Sequence, residues 1–236
     1  MEYYPDNTLA HFTTQLPQDI DLSGKWEVAL AEILYPHSYY NIRHREASMS
    51  VRVGRNSDHV TKILHPGYYP STKILVGSLN KLLDVSAKIK FGYNDVTNRV
   101  HLEVKRNAQL LMSPELCNML GLESQIFNDT PGVYYGREPA DVHQGFYALY
   151  VYSDIVESVV VGDTLSPLLR TVPLKGKSGE MQLRAFNNLQ FKPLQRNHFN
   201  TVEIDIRDDT GKAVAFDRGK VVVTLAFRRA RTSYLA

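Results

Sequence analysis

The sequence predicts an all-β fold, an antiparallel jelly-roll sandwich carrying a helix-hairpin-helix insertion. Three observations predict it. Strictly alternating apolar residues occupy both ends of the chain, helical periodicity is confined to the middle, and strands never alternate with helices as a parallel sheet requires.

Residues 9–16 read as a first strand with Pro17 as its stop, and they are expected to partner the next strand. There Trp26, Val28 and Leu30 alternate with Glu27 and Ala29, and Ile33 and Tyr35 continue on the opposite parity. A bulge near Ala31 and Glu32 would return the apolar set to one face, and Pro36, lacking an N–H, ends the pairing. Met49, Val51 and Val53 form a third short strand closed by Gly54.

The period then changes. Leu75, Leu79, Leu82 and Leu83 share one helical face after Pro70-Ser71-Thr72, whose hydroxyls can cap a first turn. Ile89, Phe91 and Tyr93, a polar turn at 94–98, and Val100, Leu102 and Val104 make a hairpin. A second helix has Ser113 at its N-cap, Pro114 at its first position, Glu115 in the first turn, Leu116, Met119 and Leu120 facing inward, and Gly121 as its stop. Breakers at Pro131, Gly132, Gly136, Pro139 and Gly145 make 123–145 a long surface loop.

Beyond it the chain is β again. Residues 146–151 are nearly all apolar, as in a strand covered on both faces. Val202, Ile204 and Ile206 alternate cleanly, Asp208-Asp209-Thr210-Gly211 supplies a turn, Val214 and Phe216 begin the return, and Val221, Val223, Leu225 and Phe227 form the last strand. Nine or ten strands result. The β halves at about 8–60 and 146–230 each hold too few to close a core, so they must share one. Residues 1–236 are therefore expected to be a single jelly-roll domain, with the insertion at about 66–122 and the loop at about 123–145. There is no internal repeat.

Composition narrows the function. The 236 residues are 43% apolar and 22% charged, which suits a packed globular chain, and 27 basic against 25 acidic residues leave a net charge of +2, too little for a sheath around nucleic acid. The single cysteine, Cys117, forbids an intrachain disulfide and points to a reducing compartment. An acidic opening with Glu2 and Asp6, and no apolar run of membrane-spanning length, predict a soluble chain that is not secreted.

Chemical signatures are absent. Gly176-Lys177-Ser178 lacks the first glycine of a phosphate loop, Thr171 standing in its place, and reads as a turn. None of His11, His37, His44, His59, His65, His101, His143 and His198 forms the His-x-His pair of a cupin metal site. Cys117 reads as a buried apolar residue, no Gly-x-Ser-x-Gly elbow occurs, and Asp205, Asp208 and Asp209 lack calcium-loop spacing. Asn128-Asp129-Thr130 is a formal glycosylation sequon that an unsecreted chain would not use. No catalytic, cofactor or metal residue is assigned, and a non-enzyme is expected. Two features remain. Tyrosine doublets at Tyr39-Tyr40, Tyr68-Tyr69 and Tyr134-Tyr135 are candidate interface anchors, against a reading as half-buried strand and loop residues. Arg228, Arg229 and Arg231 form a weak basic cluster, against a reading as a solvated strand end.

Residues 146–174 (FYALYVYSDIVESVVVGDTLSPLLRTVPL) and 198–229 (HFNTVEIDIRDDTGKAVAFDRGKVVVTLAFRR) resemble the C-terminal half of structural proteins encoded by Polinton (Maverick) elements and related adintoviruses, and residues 7–36 (NTLAHFTTQLPQDIDLSGKWEVALAEILYP) are similar to their start. Such elements encode a double jelly-roll major capsid protein and a single jelly-roll minor one. At 236 residues the chain fits one jelly roll plus an insert, so the resemblance implies the minor capsid, or penton, protein. It implies a homo-oligomer, expected as a pentamer, that contacts the major capsid protein, with weak contact to packaged DNA through the C-terminal arginines. Its place would be the virion capsid, assembled inside the host cell. It transfers no catalytic residue or cofactor. The alternatives are a spike or cement protein of the same element, a soluble lectin-like glycan-binding jelly roll, and a cupin-type enzyme, the last weakened by the missing His-x-His.

Overall fold

A computed structural model describes residues 4–42, 47–54, 57–84, 87–123, 126–127 and 130–230. In chain order these form β1 (His11–Asp21), β2 (Trp26–Pro36), β3 (Ser48–Val53), β4 (Val60–Ile63), α1 (Thr72–Leu83), β5 (Ile89–Asn94), β6 (Arg99–Val104), β7 (Ala108–Met112), α2 (Pro114–Leu120), β8 (Ile126–Phe127), β9 (Gly132–Tyr135), β10 (Ala148–Ser153), β11 (Val159–Val161), β12 (Thr164–Ser166), β13 (Leu168–Pro173), β14 (Met181–Ala185), β15 (Lys192–Pro193), β16 (His198–Arg207) and β17 (Val222–Arg229). Every strand pair is antiparallel. The chain divides into two compact units, Met1–Tyr39 with Phe146–Ala236, and Tyr40–Gly145.

The first unit has two main sheets, and each takes strands from both ends of the chain. One runs β1-β16-β10-β13; the other is centred on β2, with β17 along one edge and β14 and β15 sharing the other. Val28, Ala29, Leu30, Ile33 and Tyr35 of β2 are fully buried. The phase slip is a bulge at Ala31. Thr224 pairs with Glu32 and Leu225 with Leu30, so Ala31 has no opposite number on β17, and its carbonyl accepts from the Phe186 N–H at 2.9 Å.

Two local expectations are corrected. β1 runs past Pro17 to Asp21 and pairs with β16, not β2; its register breaks between Gln15 and Ile20, and Pro17 lies in that break, where a missing N–H costs no ladder bond. β10 is not covered on both faces. Leu149, Val151 and Ser153 are buried while Tyr150 and Tyr152 are half-buried on the other side. The turn after β16 is held by the Asp208 carboxylate, which accepts from the Thr210 and Lys212 N–H groups at 2.9 and 3.0 Å.

The second unit has its own core, where Leu75 and Leu79 of α1 meet Leu102, Leu110, Leu116 and Met119. Each such side chain contributes about 1.5–3 kcal/mol of apolar burial. Both helix starts are capped as their sequences require: Ser71 accepts from the Ile74 N–H and Ser113 from the Leu116 N–H. Asn80 ties α1 to β5, donating to the Phe91 carbonyl and accepting from its N–H, both at 2.8 Å.

The sheets of this unit, β4-β3-β7-β8 and β5-β6-β9, move the expected boundaries. A single core over 1–236 is replaced by two compact units, and the excursion begins at Tyr40, not near residue 66. β3 belongs to it because β3 pairs with β7, a strand that periodicity alone does not reveal, and their five-residue register spans more than 50 residues of chain. Residues 123–145 are not only loop: β8 extends one sheet, and β9 pairs with β6.

Candidate interaction surfaces

No group of three or more His, Cys, Asp or Glu among the described residues is placed to hold a metal ion. His44, Asn128 and Asp129 lie outside the described residues. Cys117 is buried on α2, and desolvation, with Glu115 nearby, pushes its thiol up to about 11, so it stays protonated at neutral pH. Asp205 is paired with Arg207 at 2.7 Å and Asp208 serves its turn. In the Gly176-Lys177-Ser178 turn the Lys177 N–H donates to Glu180 at 3.1 Å.

The tyrosine doublets separate. Tyr39 is 5% exposed, stacked on His37 at 4.7 Å and edge-on to Phe146 at 4.8 Å, so it is a core residue of its unit and not an outward anchor. Tyr40 is 42% exposed. Tyr134 is half-buried, edge-on to Phe127 at 5.0 Å and donating to the Thr130 carbonyl, whereas Tyr135 is 72% exposed on β9. Strand alternation explains that split. Tyr68 is half-buried with its ring 5.9 Å from His143. Tyr69 donates to the His65 carbonyl at 2.8 Å, Asn41 brackets its backbone, and burial pushes its phenol pKa up.

The arginine cluster is corrected in part. Arg228 donates to Glu27 at 2.7 Å and lies 3.7 Å over the Phe191 ring, so its partly exposed guanidinium already has partners within its own unit. Arg229 lies 5.7 Å over Trp26, and Arg231 is outside the described residues.

The structure adds an outward apolar row that sequence reasoning missed. On the β2 sheet Leu183 and Val222 both register on Leu34, and Met181 on Pro36; Leu183, Met181 and Val222 are 62%, 45% and 41% exposed. The signal was present but inverted, because in β14 the polar Gln182 and Arg184 are the less exposed residues and the apolar ones face out. Val160 and Leu165, paired on the β11–β12 hairpin, are also exposed. Grooves also open among the described residues of the same unit. One, of about 450 Å³, is apolar and lies between the edges of β1 and β17, lined by Phe12, Leu16, Val202, Leu225 and Phe227. Another, of about 410 Å³, is polar and lined by Tyr152, Asp154, Thr164, Ser166, Glu203 and Asp205. Asp154 pairs with Arg196 and accepts from the Glu203 N–H. No helix among the described residues is long and apolar enough to cross a membrane.

No protein-family model matches the chain, and no curated protein matches it. Among solved structures it is similar to selenomethionine-labelled mavirus penton protein, with a TM-score of 0.46 and 10% identity over 92% of this chain and 90% of that one. Flagellar cap protein FliD from Escherichia coli matches at a TM-score of 0.19 in two forms. Its D1–D2–D3 domains are 13% identical, over 94% of this chain and 54% of that one; its D2–D3 domains are 14% identical, over 94% and 96%.

Proposed function

We propose that the chain is a structural capsid protein, the vertex (penton, minor capsid) subunit of a Polinton-type element, which closes into pentamers and contacts the major capsid protein. The three segments that resemble such proteins, 7–36, 146–174 and 198–229, all fall in the first unit and supply strands to both of its main sheets. The observation that carries the reading is the row Leu183–Leu34–Val222, in which exposed Leu183 and Val222 flank half-buried Leu34. A subunit that repeats one contact around a closed ring needs complementary flanks, and an apolar row on a regular sheet face is a flank that association would cover. Tyr40 and Tyr135 are the doublet members exposed enough to add aromatic anchors. With Arg228 engaged by Glu27 and Phe191, contact with packaged DNA through the C-terminal cluster falls to Arg229 and Arg231. The solution mass by light scattering tests the assembly. A pentamer of the 26.8 kDa chain is expected; a trimer would favour a spike or cement protein of the same element, and a monomer would reject the vertex role.

One observation favours a second reading, a lectin-like glycan-binding module. The groove beside Tyr152 sets carboxylates and hydroxyls next to an aromatic ring, the groups that bind sugar hydroxyls and stack on a sugar face. Saturable binding of a glycan by a monomeric chain would support it.

A further inference from the structure

The near-neutral chain conceals a difference in sign. Tyr40–Gly145 holds 13 basic against 10 acidic residues, and the remainder holds 14 against 15. Within Tyr40–Gly145, lysines converge on a groove of about 580 Å³ at the open end of the β5–β6 hairpin, beside the last turn of α1. Lys81 comes from that turn, Lys90 lies on β5 with Lys88 just before it, and Lys105 immediately follows β6. The hairpin register brings the last three together. Ile89 pairs with Val104 and Lys90 with Glu103, and the Lys105 N–H donates to the Lys88 carbonyl at 3.0 Å, so Lys88 and Lys105 leave the sheet side by side.

All four lysines are exposed, and among the described residues none makes an ion pair. The groove's carboxylates are Asp84 and Glu103, half as many as its ammonium groups, and exposed Arg106 adds another cation next to Lys105. Lys88 holds φ at +54°, a left-handed conformation unfavourable for a side chain with a Cβ and kept here by the hairpin end. Ammonium groups gathered this closely repel one another, and a multivalent anion would relieve that repulsion.

We infer that this groove holds the phosphate backbone of a nucleic acid. Lysine is a point charge without the planar fork that reads base edges, and among the described residues no aromatic ring lines the groove to stack a base. Ile89, the apolar side chain among the described lining residues, is 7% exposed and so presents little of itself to the apolar side chains of a peptide. Closely spaced phosphates are what remains complementary, and the interaction is independent of base sequence and sensitive to salt. The groove lies outside the first unit, and its occupancy does not depend on the vertex role.

The test is fluorescence anisotropy of a labelled duplex of about 30 base pairs with the full chain at about 50 mM salt. Wild-type protein should bind, with affinity falling steeply as salt rises. K88E/K90E/K105E should lose at least about tenfold, and K88Q/K90Q/K105Q, which removes charge without adding repulsion, should bind weakly with a salt slope shallower by about 2–3, since each phosphate left without its lysine lowers the slope by about 0.9. Circular dichroism melts confirm that both variants fold. K212Q, which removes an exposed lysine of the other unit, should bind as wild type does. Wild-type protein that does not bind, a lysine variant that binds unchanged, or polyglutamate displacing the duplex at a lower charge concentration would each overturn the inference. Solution mass is read on the same samples, so loss of DNA binding and loss of assembly are scored separately.

Discussion

Leu183 and Val222 stand in one row across the outer face of the β2 sheet, on opposite edges of β2, each registered on Leu34. Adjacent strands lie about 4.8 Å apart, so the two side chains are roughly 10 Å from each other and form a short apolar stripe. Replacing both with glutamate places charge in any interface that covers the stripe and leaves the buried inner face intact. Sedimentation velocity is expected to show the double variant dissociated, while its thermal midpoint moves little, because exposed substitutions of this kind usually change stability by about 0.5 kcal/mol or less. A variant that keeps the wild-type mass would remove this row from the assembly surface.

Gly121 ends α2 at φ +68°, and a Cβ there would come 2.1 Å from the Glu138 carbonyl oxygen, a backbone atom that cannot swing aside. Gly121→Ala combines a left-handed penalty of about 1–2 kcal/mol with that collision. Urea unfolding should show the Tyr40–Gly145 unit destabilised by upwards of about 2 kcal/mol.

Arg228 should behave as a structural residue. Its interactions with Glu27 and Phe191 are partly exposed, so together they are worth about 1 kcal/mol, and Arg228→Ala should lower the midpoint by about 2–4 °C. Its affinity for duplex DNA should stay within about twofold of wild type. A large loss of DNA binding with an unchanged melt would return Arg228 to the nucleic-acid surface.

Cys117 gives an alkaline signature. Its thiol, ordinarily near 9, is raised to about 11 in the fold, so the native state holds the proton more tightly than the unfolded chain. That contribution is fully present below pH 9 and is lost as the pH rises towards 11, by roughly 2 kcal/mol. Tyr69, also raised by burial, adds a loss above about pH 10 in both chains, so the difference between wild type and Cys117→Ala isolates the thiol. Parallel stability curves for the two from pH 8 to pH 11 would contradict the burial argument.

Much of the fold was legible where the determinants are local. The Ala31 bulge followed from a change of parity within one strand, and both helices from periodicity with a capping serine or a terminal glycine. What escaped depends on pairing between distant residues. β3 looks like any short strand until β7 claims it from the other side of a helix and a hairpin, and that pairing moves the boundary from about 66 to Tyr40. β14 was hidden because its apolar residues face outward, against the pattern that marks a buried strand. The surfaces were less legible than the fold. Composition singled out tyrosines and arginines, yet Tyr39 is packed internally and Arg228 is engaged by Glu27 and Phe191, while Lys88, Lys90 and Lys105 meet only through the hairpin register.

Negative-stain electron microscopy of the purified 236-residue chain addresses self-assembly most directly. Closed rings with five-fold symmetry in class averages are the predicted outcome. Single particles of one chain, or three-fold assemblies, would contradict the vertex role.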